Sequence, residues 1–278
     1  MTILVCYAKN RKNEASSVSM KLKAIGLNPI LDKPIESLIE TDTISSCEDI
    51  SSMGIDMVVS VGGDGTILRA SQRALALDKP IFGINAGRVG FLTAFEIDEL
   101  DKLTMSDIST LNLAERMILE MKIEQKPDRS YLAVNDVVIC RDTISKTVDL
   151  KVYSDTQLIG EYRGDGVIVS TPTGSTGYSL SAGGPIVDPL LDILLVTPIC
   201  AHTMFVRSIA LDAKKTIRID RTDRSDTGVY ISLDSTHMVE LKENYSLVIS
   251  KSNKTLKLLS SEKKDYFEVL NRRIGIGF

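Results

Sequence analysis

Tryptophan is absent from this chain, and histidine and cysteine are scarce, at two and four residues. With only His202 and His237 to draw on, a histidine-rich metal site or a histidine-centred proton relay has little to be built from. Cys6, Cys47, Cys140 and Cys200 lie far apart and form no C-x-x-C pair, which argues against a disulfide framework and against a zinc site. Such cysteine usage fits a reducing, cytoplasmic compartment. Long apolar runs are missing too. The start, MTILVCYAKN, has no basic stretch followed by a long apolar one, and no segment approaches the roughly 18 apolar residues of a membrane span. The expectation is a protein neither exported nor membrane-spanning. Basic residues do not predominate: 33 Lys and Arg stand against 37 Asp and Glu, a net charge of −4, so no broad basic face for nucleic acid is expected. Small anionic ligands stay open, because local groups and not net charge hold them.

What is present is the composition of a folded globular protein, 43% hydrophobic and 25% charged over 278 residues, enough for two domains. The first part alternates apolar runs with helical patterns: TILVCY, SSVSMKLKAIG, DMVVSV, TILRASQRALAL and PIFGIN. That order predicts a Rossmann-like α/β domain with a parallel sheet over residues 1–105. Residues 32–54 are acidic and Ser/Thr-rich and predict only a short helix or loop. From 106 to 257 the chain turns to short β-branched strands at close spacing, which predicts an antiparallel β-sandwich domain. The end, KKDYFEVLNRRIG, returns to helical spacing through Phe267, Leu270 and Ile274, and residues 258–278 are expected to pack back on the first domain.

Two segments concentrate chemistry. In VVSVGGDGTILRA, residues 58–70, glycines at 62, 63 and 65 lie where a strand meets a helix, so backbone N–H groups of Gly62, Gly63, Gly65 and Thr66 can face a phosphate. The stretch is neither a P-loop nor G-x-G-x-x-G. Asp64 has two readings there. It caps a helix beginning near Thr66, or it orients an acceptor hydroxyl and takes its proton during phosphoryl transfer. Arg69 is either an ordinary helix arginine or a positive group near the same cleft.

The second segment, YRGDGVIVSTPTGSTGYSLSAGGPIVDP, leads from a strand into a Thr/Ser/Gly loop around one aromatic, Tyr178. Tyr178 suits a stacked ring, and Thr173, Thr176 and Ser181 suit its edges or ribose hydroxyls. A structural turn would use the same residues. Ser175 lacks the G-x-S-x-G context and a histidine partner expected of a nucleophile. Upstream, Asn135 and Asp136 interrupt an apolar strand pair, either as a turn or as an amide and carboxylate that grip vicinal hydroxyls.

Taken together, GGDGT at 62–66, NAGRVGFLT at 85–93, the Asn135-Asp136 pair and GDGVIVSTPTGSTGYSLSAGGP at 164–185 resemble the NAD kinase family along nearly the whole chain. GGDGT alone is shared with diacylglycerol and sphingosine kinases, and 6-phosphofructokinases have a similar loop. The resemblance implies phosphoryl transfer from ATP or polyphosphate, with a divalent metal ion, Mg²⁺ first among them, to the 2′-hydroxyl of the adenosine ribose of NAD. It implies Asp64 as proton acceptor with Gly65 and Arg69 as neighbouring contacts. Asn135, Asp136, Lys146, Arg163 and Asp165 match the family's NAD contacts. So do Thr173 and the run Thr176, Gly177, Tyr178, Ser179, Leu180 and Ser181. A homodimer or homotetramer that shares its site between subunits is also implied. Two departures stand out. Asp234-Ser235-Thr236 replaces the family's Asp-Gly-Gln, leaving Thr236 in place of glutamine, and Ala201-His202-Thr203 replaces Pro-His-Ser. The alternatives are a lipid or sphingoid kinase with the same loop and a non-catalytic dinucleotide-binding sensor.

Overall fold

The computed structural model describes residues 1–32, 50, 53–87, 90–142, 146–202, 207–222, 228–235, 237–260 and 266–275. Most of the acidic 32–54 stretch lies outside the described residues, as do Arg88, Val89, Thr203 and Thr236. The chain divides into two compact units, Met1–Glu115 with Leu256–Phe278, and Arg116–Thr255.

In the first unit, β1 (Thr2–Tyr7), β2 (Asn28–Leu31), β3 (Met57–Gly62) and β4 (Ile81–Asn85) run parallel in the order β2-β1-β3-β4. Helix α1 (Lys12–Ala24) connects β1 to β2, and α2 (Asp64–Leu77) connects β3 to β4. β5 (Thr93–Glu96) adds a further parallel partner to β4. The apolar run of β3 is buried at every position because both faces are covered. On one face Val59 and Val61 meet Val18 and Leu22 of α1 in a single core. On the other, Gly83 of β4 lets Ile67 of α2 approach where a Cβ would crowd it. The connections leave β1 and β3 in opposite directions, and open α/β sheets bind ligands at the carboxyl ends of strands at such a reversal. Gly62 ends β3 there, one residue past Val61, which lies opposite Tyr7.

The second unit is antiparallel. One sheet has β8 (Asp136–Arg141), β11 (Gly166–Ser170), β12 (Ile193–Ile199), β13 (Ile209–Asp212), β15 (Val229–Leu233) and β16 (His237–Glu240), ordered β13-β12-β11-β8-β15-β16. The other takes β9 (Val148–Ser154), β10 (Gln157–Gly164), β14 (Ile217–Arg221) and β17 (Ser246–Ser260), with the hairpin of β6 (Asn112–Ile123) and β7 (Lys126–Ala133) at its side. Alternate residues such as Val148, Leu150 and Val152 point inward and share a core with Val137, Val167 and Ile231 of the facing sheet. β11 breaks the alternation and is buried along its length. Its outer face packs Ile168 with Val138, Ile199 and Ala182. The Thr/Ser/Gly stretch that covers it folds as two tight helical turns, Thr173–Thr176 and Tyr178–Ser181.

Within the first unit, the end of β17 places Leu258 opposite Ile81, and a terminal helix follows at Tyr266–Ile274. Its buried residues are Val269 and Leu270, while Phe267 is 59% exposed. The face expected from Phe267 and Leu270 is therefore rotated, and the cause lies in what Tyr266 and Arg273 touch.

Gly62 has no room for a side chain. Its φ is 156°, and a Cβ there would collide with the side chain of Thr66. Gly62→Ala is expected to cost about 1–3 kcal/mol of stability, the usual penalty for overpacking. Urea denaturation checks this, and an unmoved midpoint would contradict the packing described.

Candidate active site

Helix α2 starts two residues earlier than the capping reading requires. Gly63 is its N-cap, without a side-chain capping bond, and Asp64 is its first residue. The Asp64 carboxylate turns away from its own helix and accepts two backbone hydrogen bonds, from Phe91 N–H at Oδ2 and Leu92 N–H at Oδ1, both 3.1 Å. Gly90 is required beside it, since a Cβ there would strike the carboxylate. A third donor comes from the terminal helix: Arg273 Nη1 lies 2.9 Å from Asp64 Oδ2. The helix amino terminus adds its partial positive charge to these donors. Asn85 closes β4 on the same side of the sheet, bonded through its amide to Gly87 and Glu96. Arg69 is half-buried on α2. Around Gly63 and Gly65 no protein atom would meet an added Cβ, so the chain's own packing does not demand glycine at either position.

In the second unit an inward carboxylate organises the Asn135-Asp136 turn. Asp234 accepts N–H bonds from Val134 and Asn135, both at 2.7 Å, and from Asp136 at 3.1 Å. Thr171 bonds the same turn through its hydroxyl to Val134 C=O at 2.7 Å and through its N–H to Asn135 C=O at 2.9 Å. Gly174 packs so closely on the Asn135 backbone that no side chain fits. The pair and the Thr173–Ser181 loop therefore come together, with Gly177 beside both the Asn135 amide and the Asp136 carboxylate. Asn135 Oδ1 is buried with no hydrogen-bond partner.

The remaining predicted residues divide by environment. Tyr178 is 45% exposed, and partial burial raises its hydroxyl pKa above the ordinary range. Ser181 is exposed, and Thr173, Thr176 and Leu180 are half-buried. Ser179 is buried and bonded to Thr197, and Ser175 is bonded to both backbone groups of Val187, so these two hydroxyls serve the fold. Asp165 is paired with Arg141 at 2.7 Å. Arg163 and Lys146 are exposed, Arg163 near Asp149 and Thr147.

Two buried acids sit against each other. Burial, and then the charge of Asp234, push Asp136 up from 3.8 to about 7. Burial also raises Asp234, to about 6, although its three backbone donors pull the other way. Among the described residues no three His, Cys, Asp or Glu side chains gather as a metal cage, and no helix is long and apolar enough to cross a membrane.

Sequence reasoning overlooked Arg141, Arg273 and the organising part of Asp234. Asp234 drew notice only for the residues following it. Arg273 looks like one of two ordinary basic residues at a helix end, and nothing local distinguishes it from Arg272.

An acid freed from its helix, beside a glycine-lined helix start at a sheet reversal, suits transfer of a phosphoryl group to a hydroxyl. The protein is of the phosphotransferase class. Comparison with known families narrows this: residues 3–108 match the ATP-NAD kinase N-terminal domain and residues 134–261 the ATP-NAD kinase C-terminal domain. An NAD kinase of Clostridium perfringens is 34% identical over 275 residues, covering 98% of this chain and 97% of that one. One from Trichlorobacter lovleyi is 37% identical over 225 residues, 80% and 79% of the two chains. The crystal structure of an NAD kinase from Archaeoglobus fulgidus in complex with ATP superposes with a TM-score of 0.78 at 26% identity, covering both chains fully. Yeast NADH kinase complexed with NADH, at 23% identity, shares the fold with a TM-score of 0.82 over 100% of this chain and 88% of that one. The chain belongs to the NAD kinase family. Its activity is transfer of a phosphoryl group to NAD, making NADP, and the lipid-kinase and sensor readings are set aside.

The acid pair carries a pH signature. A carboxyl group whose folded pKa is raised contributes stability below its ordinary value and loses it as pH rises through the folded value. For Asp136 that window runs from 3.8 to about 7. Asp136→Asn is expected to remove this slope, so that its Tm rises relative to the parent between about pH 4 and 7. Parallel Tm profiles for the two proteins would contradict it.

Proposed function

We propose that Asp64 orients the 2′-hydroxyl of the adenosine ribose of NAD and accepts its proton as that oxygen attacks the terminal phosphorus of ATP. The new P–O bond forms, the bond to the bridging oxygen of the donor breaks, ADP leaves, and the proton ends on the Asp64 carboxylate. The observation that carries this reading is the Asp64 carboxylate itself, held by the N–H groups of Phe91 and Leu92 instead of capping α2.

Backbone groups at Gly62, Gly63, Gly65 and Thr66 receive the donor phosphates at the start of α2. Asn135 and Asp136 hold the ribose and base, Tyr178 stacks on a ring, Thr173, Thr176 and Ser181 supply hydroxyls, and Gly177 and Leu180 shape the loop. Asp165 serves the nicotinamide end. Lys146, Arg163 and Arg69 contribute charge around the anionic substrates. Support for the Asn135 role comes from its buried, unpartnered Oδ1. Ser179 acts through Thr197 to hold the loop's shape.

A divalent ion such as Mg²⁺ enters with the donor, since such an ion binds through one or two carboxylates, phosphate oxygens and water, and needs no protein cage. When bound it neutralises charge on the donor phosphates. ATP is the donor in our reading, in line with the ATP bound to the Archaeoglobus relative. The working form is a cytoplasmic homodimer or homotetramer.

Asp64→Asn is expected to lower kcat roughly 10²-fold or more while KM for NAD stays within several-fold. NADP formation, read with an NADP-specific dehydrogenase and with ATP or polyphosphate as donor, measures it. Equal loss of binding and rate would make Asp64 structural. Mixed oligomers of Asp64→Asn and Asp165→Asn chains are expected to regain activity if the site is shared between subunits, and verified mixed oligomers without activity would contradict sharing.

A further inference from the structure

The terminal helix carries an uninterrupted contact face. Tyr266, Val269, Leu270 and Arg273 follow the i, i+3, i+4, i+7 spacing of one helix side. Val269 and Leu270 are buried. Tyr266 packs its ring on Phe91, with centroids 6.0 Å apart. The last position of the face is a cation where an apolar residue would continue the stripe. Arg273 lays its guanidinium over the same Phe91 ring, 5.1 Å from the centroid, and reaches Asp64 Oδ2. Phe91 is thus gripped by the helix at both ends of this face, and its N–H donates to the same Asp64 oxygen. The neighbouring Arg272 is engaged elsewhere, with Glu268 at 2.6 Å.

Two features set this pair apart from an ordinary surface ion pair. The side chains are only 35% and 21% exposed, and the cation approaches an acid that its own helix does not use. The bonding is also unequal. Oδ2 takes both Phe91 N–H and Arg273, whereas Oδ1 takes Leu92 N–H alone. Oδ1 is the oxygen with capacity to accept another hydrogen bond.

We infer that Arg273 is a positioning residue for phosphoryl transfer: it occupies Oδ2 of Asp64, leaves Oδ1 to receive the substrate hydroxyl, and sets a positive charge beside an acid that must work near phosphates. The inference rests on Asp64 being the proton acceptor. It makes docking of the terminal helix a condition for an active Asp64. An unscreened carboxylate repels an approaching polyanion, and a guanidinium in contact with it offsets that repulsion without taking the proton, because arginine stays charged.

The test is a double-mutant cycle on the full-length enzyme with MgATP and NAD. Arg273→Ala and Arg273→Met are each made in the parent and in Asp64→Asn, the methionine keeping a long side chain against Phe91 should alanine loosen the helix. Expected is a fall in kcat of roughly 10-fold or more in the parent, KM for NAD within several-fold, and substantial recovery with Arg273→Lys. In the Asp64→Asn background the same substitutions should change kcat by less than about two-fold, because the group through which Arg273 acts is gone. Equal losses in both backgrounds, or no loss in the parent, would overturn the inference. Failure of the Asp64 reading looks different: Asp64→Asn by itself would then keep the parental kcat.

Discussion

The pair of hydrogen bonds from Phe91 and Leu92 to the Asp64 carboxylate is the constraint around which the first unit is arranged. A carboxylate at a helix start ordinarily turns back to cap its own amides. Here Gly63 takes the N-cap position, and the acid reaches across to a loop that follows β4. That reach demands close agreement between separate elements. β3 and β4 must be paired, with Gly62 opposite Asn85, so that helix start and loop emerge side by side. Gly62 must lack a side chain to let Thr66 pack, and Gly90 must lack one to admit the acid. Hydrogen bonds to a charged group are each worth about 1.5–3 kcal/mol, enough to fix one rotamer of a short side chain.

The second unit solves a related problem with the opposite dielectric. Asp234 is fully inside and spends its carboxylate on three consecutive N–H groups, which bends the chain at Val134 and Asn135 and presents the Asn135 side chain. Burial raises the pKa of both acids, and the charge of Asp234 raises Asp136 further. A protein selecting only for stability would not place two carboxyl groups there. The cost is explained if the turn must hold an amide and an acid in a fixed relation for a ligand with adjacent hydroxyls.

Much of this was legible in the residues, and the parts that were not share a cause. Strand β3 announced itself as a continuous apolar run because burial on both faces leaves no alternation to hide. The sandwich was legible from short β-branched strands for the complementary reason, that one face of each is inside. GGDGT stood out as glycines at a strand-to-helix turn, and Asn135-Asp136 as polar residues inside apolar strands, which are expensive unless partnered. The helix start was misplaced by two residues, since local sequence favours Asp64 as a cap and the distant Phe91, Leu92 and Arg273 draw it away. The bond of the Ser179 hydroxyl to Thr197, eighteen residues on in another strand, left no mark in the local sequence. Arg273 and Asp234 were missed because their partners lie 209 and about 100 residues away. Long-range pairing of charges leaves no periodicity, and a face set by one such contact shifted the terminal helix from its expected stripe.

The central claim is that the amide-held Asp64 carboxylate serves the chemical step itself. Rapid-quench measurement of a single turnover, with NAD prebound and MgATP mixed in, isolates that step from binding and product release. The account predicts that removing the carboxylate slows formation of bound NADP by the same factor as steady-state turnover. An unaltered single-turnover rate with slower steady-state turnover would contradict it, by moving the role of Asp64 from phosphoryl transfer to product release.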